Sequence, residues 1–284
     1  MWNDGRVSNV ERNGSGVDRV DPHELLATAR AAAAEAGRLL VQGRPENLGV
    51  AQTKSSPTDV VTEMDTAAEQ TIKAALRAAR PEDGFLGEEG GAEPGSSGVR
   101  WVVDPIDGTV NYLYGLPAWA VSIGAEVDGV VVAGVVLAPQ LGEEYTAVVG
   151  GGAWLNGRRL AVSAPEDLGR ALVATGFGYR AERREVQGRV LAGLISRVRD
   201  VRRGGSAALD LCSVAAGRVD AYFERGTHPW DRAAGGLVAQ EAGAVVEGFH
   251  GAPASEEMVL AAGPGLFRDL HGALLALGAG EPGY

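Results

Sequence analysis

The sequence predicts a layered α+β fold, and three observations predict it. Two segments of helical period come first (21–41 and 64–79), β-branched runs then dominate 85–162, and strands alternate with helices from 171 onward. Strands gathered in one stretch, followed by β/α alternation, indicate stacked layers rather than a simple doubly wound sheet.

Each element has its own signal. Asp21 is an N-cap residue and Pro22 fits the first helical position. Leu25, Leu26, Ala29, Ala33, Ala36, Leu39 and Leu40 then form one apolar side up to about Val41. A polar loop, Lys54-Ser55-Ser56-Pro57-Thr58-Asp59, feeds a short strand at 60–62, and a second helix stops before Pro81. Strands are expected at 100–104, 119–127, 130–137, 144–149, 153–155 and 159–162. Asp128-Gly129 and Asn156-Gly157 read as tight hairpin turns. Further on come a strand at 171–175, helices at 181–199 and 206–215, a strand at 219–223 and a helix at 230–242. Short strands at 244–247 and 258–261 precede a last helix after Pro264.

With 284 residues, 45% hydrophobic and 22% charged, the chain is that of a globular protein with a sizeable core. Residues 1–20 read as a flexible tail, and 21–280 as one domain with an α+β half (21–165) and an α/β half (166–280). A net charge of −11 argues against direct nucleic-acid or anionic-membrane binding, which needs clustered Lys and Arg. No apolar run approaches the ~20 residues that span a bilayer, and the first 21 residues lack the apolar core of a signal peptide. Cys212 is the only cysteine, which fits a reducing cytoplasm, and its apolar helical setting marks a packing thiol rather than a nucleophile. A cytoplasmic protein is expected.

The run Trp101-Val102-Val103-Asp104-Pro105-Ile106-Asp107-Gly108-Thr109 drives an apolar strand into a turn holding two carboxylates, a glycine and a hydroxyl. Buried carboxylates are costly unless compensated, and a divalent cation compensates several at once. Gly87-Glu88-Glu89-Gly90 and Trp230-Asp231 carry further acids. Taken singly, each has an ordinary explanation: a solvated loop for Glu88-Glu89, a turn cap for Asp104, a helix N-terminal acid for Asp231. Their joint occurrence, with two of the segments pairing acids to glycines, points to a centre for a hard cation such as Mg²⁺. The four histidines lack zinc spacing, and the chain has neither a GxxxxGK[ST] phosphate loop nor a G-x-S-x-G elbow. Gly150-Gly151-Gly152 precedes a hairpin, a poor setting for a dinucleotide fingerprint. Asp104 and Asp107 lie three apart rather than two, which disfavours a phosphoaspartate route.

These motifs, with Gly204-Gly205-Ser206-Ala207-Ala208, Trp230-Asp231-Arg232-Ala233-Ala234-Gly235, and the loop from Lys54 through Asp65, resemble the inositol monophosphatase family of magnesium-dependent, lithium-sensitive phosphatases. The resemblance runs from about Asp21 to the last helix. It implies the αβαβα five-layer sandwich of the inositol monophosphatase and fructose-1,6-bisphosphatase type, and a homodimer.

The resemblance also implies residue roles. Glu88, Asp104 and the Ile106 carbonyl would hold one Mg²⁺, and Asp104, Asp107 and Asp231 a second. A third, weaker ion would lean on Glu88. Thr109, linked to Asp65 and assisted by Glu88, would position and deprotonate the attacking water in a direct, metal-assisted hydrolysis. Glu89 would orient ligands or water. The Gly108 and Thr109 amides would receive phosphate oxygens. Gly205, Ser206, Ala207 and Glu224 would line the alcohol side, and Glu88, Ile106, Asp107 and Asp231 would also touch substrate. Two positions depart from the family pattern, Tyr112 for the usual Phe and Tyr114 for a common His, and residues 1–20 have no counterpart.

The expected reaction is hydrolysis of myo-inositol 1-phosphate or a related polyol or sugar phosphate. Fructose 1,6-bisphosphate, histidinol phosphate and 3′-phosphoadenosine 5′-phosphate are alternatives with the same chemistry. A non-catalytic regulatory binding protein is the alternative from another class.

Overall fold

The structure is a computed structural model that describes residues 20–46, 48–54, 60–165 and 167–281. The expected tail lies outside the described residues apart from Val20, and only Lys54 of the polar loop lies within them.

Helix α1 (Pro22–Gln42) starts as its sequence dictates, with Asp21 Oδ1 accepting from the His23 amide at 2.8 Å. A two-stranded ribbon, β1 (Gln52–Thr53) and β2 (Val60–Val61), leads into α2 (Glu63–Ala79). There follow β3 (Gly84–Gly87), β4 (Gly91–Glu93), β5 (Val99–Asp107), the short α3 (Thr109–Leu113), β6 (Ala120–Val127) and β7 (Val130–Ala138). Strands β8 (Glu143–Val148), β9 (Gly152–Leu155) and β10 (Arg158–Arg159) complete an eight-stranded sheet ordered β10-β9-β8-β7-β6-β5-β3-β4. Its pairs are antiparallel except β3 with β5. Both hairpin turns form as expected, with Asp128 and Gly129 at φ 51° and 83°, and Asn156 and Gly157 at 48° and 78°. Positive φ at both central residues is what the type I′ turn demands.

The second half supplies β11 (Leu172–Thr175), α4 (Ala181–Leu194), β12 (Asp200–Arg202), α5 (Ala207–Ala215), β13 (Ala221–Glu224), α6 (Pro229–Glu241), β14 (Val245–Glu247), β15 (Val259–Ala262) and α7 (Pro264–Ala276). Its five-stranded sheet is ordered β12-β11-β13-β15-β14.

Strand alternation assigns neighbouring residues to different cores. Val121 and Val135 face α1 and α2, whereas Ala120 and Val136 face α5 and α6. In the second sheet Ala174, Tyr222 and Val259 face α5 and α6, whereas Val173, Phe223 and Leu260 face α4 and α7. The layers therefore run α1/α2, eight-stranded sheet, α5/α6, five-stranded sheet, α4/α7, the expected αβαβα sandwich. Glycines set the spacing. A Cβ on Gly37 would come within 2.9 Å of Leu137, and one on Gly134 within 3.0 Å of the Ala234 Cα.

Several boundaries differ from the sequence expectations. The helix expected over 181–199 ends at Leu194, because the chain must turn there to lay down β12, a polar edge strand that hydropathy does not mark. The strand expected over 159–162 shrinks to β10, and 162 instead sends its amide to the Ala242 carbonyl. The strand expected over 219–223 begins at Ala221, since 219 still belongs to the turn closing α5. Cys212 is fully buried in α5, consistent with a packing thiol.

Candidate active site

Residues three apart on a regular strand point to opposite faces, yet Asp104 and Asp107 converge. The cause is a bulge. Asp104 pairs with Ser122 and Asp107 with Ala120, so β5 advances three residues while β6 advances two. Pro105, lacking an N–H, occupies the extra stretch, and the Ile106 amide donates to Asp104 Oδ1 at 3.0 Å. Gly108, at φ 95°, then swings the chain into α3, where a Cβ would stand 3.1 Å from the Ala118 and Gly205 carbonyl oxygens.

Asp231 arrives from the first turn of α6, its Oδ2 accepting from the His228 amide at 2.7 Å. Carboxylate oxygens of Asp104, Asp107 and Asp231 lie within 4.8 Å of one another. Parallel pairing of β3 with β5 brings Glu88 beside this trio. Lys54 Nζ lies 2.8 Å from both Glu88 and Glu89. Glu69, a buried acid the sequence reading passed over, accepts from the Glu89 amide at 2.9 Å. It explains the glycines of this turn: a Cβ on Gly87 would fall 2.2 Å from a Glu69 carboxylate oxygen, and one on Gly90 2.6 Å.

Thr109 opens α3, and its Oγ1 is 3.0 Å from both Asp65 Oδ1 and the Ile106 carbonyl. Asp65 is fully buried behind it, fixed by the N-terminal cap of α2, where the Thr62 amide and hydroxyl donate to Oδ2 at 2.8 and 2.5 Å. Ser206 caps α5 and donates to Asp107 Oδ2 at 2.6 Å, joined by the Ala208 amide at 2.6 Å. Glu224 ends β13 and accepts from the Tyr222 hydroxyl at 2.9 Å. Its carboxylate fills the space over Gly176, where a Cβ would lie 1.8 Å away.

A cleft of about 440 Å³ is lined by Glu88, Asp104, Ile106, Asp107, Gly108, Thr109, Gly205, Ser206, Ala207, Glu224 and Asp231. Every site residue singled out from the sequence faces this cleft except Asp65, which stands behind Thr109, and Glu89, which is turned to Lys54. The same cleft is lined by Arg180, Arg183, Arg203, Asp210 and His228, which sequence reading missed. The basic pair Arg202-Arg203 just ahead of the Gly204-Gly205-Ser206 motif was the one available signal for any of them. Another concavity, of about 520 Å³, lies by Phe249, Pro253 and Glu257 and holds none of the clustered aspartates.

Electrostatics mark the cleft. Burial, then Glu88, Asp107 and Asp231, push the Asp104 carboxyl well above the usual carboxylate range. Burial raises Asp107 to about 6, against the lowering effect of the Ser206 and Ala208 donors. Burial and the Asp107 and Glu88 charges raise Asp231 well up. Among the described residues no Lys, Arg or His side chain is ion-paired with these three aspartates. An all-oxygen set of mutually repelling, buried carboxylates fits a hard divalent cation.

The layer order and this acid-lined cleft are those of a phosphatase. A profile of the Inositol monophosphatase family matches residues 21–277, and the chain belongs to that family. Inositol-1-monophosphatase SuhB of Mycobacterium tuberculosis is 46% identical over 282 residues, covering 92% of this chain and 97% of that protein. Nus factor SuhB of Pseudomonas aeruginosa is 44% identical over 233 residues, 80% of this chain and 86% of that protein. Among solved structures, Mycobacterium tuberculosis SuhB superposes with a TM-score of 0.79 at 44% identity, over 92% of this chain and 99% of its own. The extragenic suppressor protein suhB from Bartonella henselae gives 0.83 at 39% identity, over 88% and 98%. The protein is a hydrolase of the phosphatase class.

Proposed function

We propose that this protein hydrolyses myo-inositol 1-phosphate, or a closely related polyol or sugar phosphate, by direct attack of water with Mg²⁺ as cofactor. The observation that carries this is the meeting of Asp104, Asp107 and Asp231 with the Thr109–Asp65 pair in one cleft. Glu88, Asp104 and the Ile106 carbonyl are suited to hold one ion, Asp104, Asp107 and Asp231 a second, and Glu88 a third. Bound there, Mg²⁺ would neutralise the acids, acidify a water molecule and offset charge on the leaving oxygen.

The chain's own residues do the rest. The Thr109 hydroxyl has one proton and two acceptors in reach, Asp65 Oδ1 and the Ile106 carbonyl. With that proton committed, its oxygen lone pairs are left to accept from a water and orient it. Glu88 assists as a further acceptor. Gly108 brings its backbone close to the phosphate, and Asp107 is held in place by the Ser206 and Ala208 donors. Glu224 accepts from hydroxyls of the alcohol, beside Gly205, Ser206 and Ala207. Burial raises Glu224 to about 7.

Phosphate release from a panel of esters, with Mg²⁺, with lithium added and with chelator, tests this. Mg²⁺-dependent release favouring inositol 1-phosphate and inhibited by lithium is expected. A clear preference for fructose 1,6-bisphosphate, histidinol phosphate or 3′-phosphoadenosine 5′-phosphate would reassign the substrate. A regulatory role has one point in its favour, the Nus-factor name carried by relatives at 41–44% identity. Absence of turnover on every ester would favour it. Exposed Tyr114 and Leu116 beyond α3 offer an apolar face for the proposed homodimer. None of the helices among the described residues is long and apolar enough to cross a membrane, and a cytoplasmic location is proposed.

A further inference from the structure

One face of α2 carries a charged side chain at every fourth residue: Asp65, Glu69, Lys73 and Arg77. Asp65 meets the Thr109 hydroxyl. Glu69, only 5% exposed, accepts from the Glu89 amide through Oε2 at 2.9 Å. Lys73 and Arg77 both pair with Glu93 on β4, and Lys73 Nζ also stands 5.5 Å from the centre of the Phe85 ring on β3. The helix therefore grips the β3–β4 hairpin twice, at its base through Glu93 and at its tip through Glu69.

That tip has little else to hold its backbone. β4 is the last strand of its sheet, and the Glu88 amide meets the Val103 carbonyl at 3.3 Å, a long bond. Lys54 pairs with the carboxylates of Glu88 and Glu89 rather than with the chain that carries them. The glycines of the turn are shaped around Glu69. Gly91, at φ 72°, is its left-handed residue. Gly87 and Gly90 have no such backbone reason, and a Cβ on either would strike the Glu69 carboxylate. Burial raises the Glu69 carboxyl, while the Glu89 and Gly90 amides and Lys73 act the other way. Glu69 does not itself line the cleft, so what it does there passes through Glu88.

We propose, building on the Mg²⁺-dependent function above, that Glu69 is a positioning residue: it holds the turn that presents Glu88 and thereby sets the affinity of the cation at Glu88. A carboxylate that anchors the amides beside a ligand pre-arranges that ligand before the ion arrives. Without the anchor, binding has to order the turn as well, and that cost appears as weaker affinity. Saturating Mg²⁺ restores the arrangement, so the loss falls on the metal requirement rather than on the chemical step.

Two measurements test this. Isothermal titration of Mg²⁺ into the metal-free protein reads affinity without substrate. Phosphate release from myo-inositol 1-phosphate reads the Mg²⁺ concentration for half-maximal turnover. Glu69→Ala should raise both by about tenfold or more, with kcat and KM near wild type once Mg²⁺ saturates. Glu69→Gln keeps an acceptor on the same stem and should show a smaller rise. Gly90→Ala puts a Cβ 2.6 Å from Glu69 Oε1 and should weaken Mg²⁺ binding too, yet add nothing in the Glu69→Ala background. If Glu69→Ala does not fold, Glu69→Gln and Gly90→Ala carry the test. An unchanged Mg²⁺ requirement, a loss confined to kcat at saturating Mg²⁺, or simple addition of the two changes overturns the proposal and leaves the phosphatase function standing. A wild type that takes up no Mg²⁺ removes the metal reading and this proposal with it.

Discussion

A carboxylate buried among other carboxylates weakens the fold until a cation arrives, so Asp104 works against the stability of the metal-free protein. Asp104→Asn should therefore cut Mg²⁺-dependent turnover by at least about a hundredfold, while the chelated variant melts no lower than chelated wild type. Retained turnover would contradict its role, and a large loss of melting temperature in chelator would contradict the electrostatic account. Asp210, in the first turn of α5, makes a second case. Burial, then the Glu224 and Asp107 charges, raise its carboxyl to about 8 from an ordinary 3.8. An acid with a raised folded value binds more protons folded than unfolded, so it drains stability as pH climbs from about 4 toward 8. Asp210→Asn lacks this slope. Its melting temperature should gain on wild type between pH 5 and pH 8, and parallel curves would rule the effect out.

Helix α6 delivers Asp231, and its height above the eight-stranded sheet is set by glycines. Beneath it a Cβ on Gly134 would stand 3.0 Å from the Ala234 Cα, and one on Gly124 3.0 Å from the Ala233 Cβ. Gly134→Val must lift the helix, at a cost of about 1–3 kcal/mol, and carries Asp231 out of register with Asp104 and Asp107. A displacement near 1 Å is worth about a hundredfold in rate, so turnover should fall far more than stability. Gly236→Ala, on the same helix with nothing within 4 Å of the new Cβ, should instead stabilise by about 0.5–1 kcal/mol. The two are compared by melting curves and kcat. How much of this was legible beforehand follows the range of the signal. Asp21-Pro22, Asn156-Gly157 and the Trp101–Thr109 run act through neighbours in sequence, and they were readable. Glu69 beneath Gly87 and Gly90, and Arg183 over Gly226, act across tens of residues, and no local pattern marks them. Strand β12 was hidden for another reason: Asp200 and Arg202 are exposed on an edge, so no hydrophobic alternation announces it.

At the scale of the whole molecule, a chain of net charge −11 gathers three of its acids, two buried and one half-buried, on the wall of one cleft. Protons and divalent cations then compete for one cluster, and the competition has a definite sign. Asp107 titrates near 6 in the folded protein against an ordinary 3.8. Without metal, folding stability should fall as pH rises through that window, because the unfolded chain gives up its protons earlier. With Mg²⁺ the direction reverses, since each proton lost opens a ligand and a cation that binds only the folded state stabilises it by mass action. At a hundred times its dissociation constant the ion contributes about 2.7 kcal/mol, or a rise of about 5–10 °C in melting temperature for a chain of this size. Scanning calorimetry at pH 5 and pH 7.5, with chelator and with Mg²⁺, should show that rise at the higher pH and little of it at the lower. An equal rise at both would mean that the clustered aspartates are not where the cation binds. No rise at either would mean that they remain a bare acid cluster, and the fold would have to tolerate their repulsion by some other means than metal.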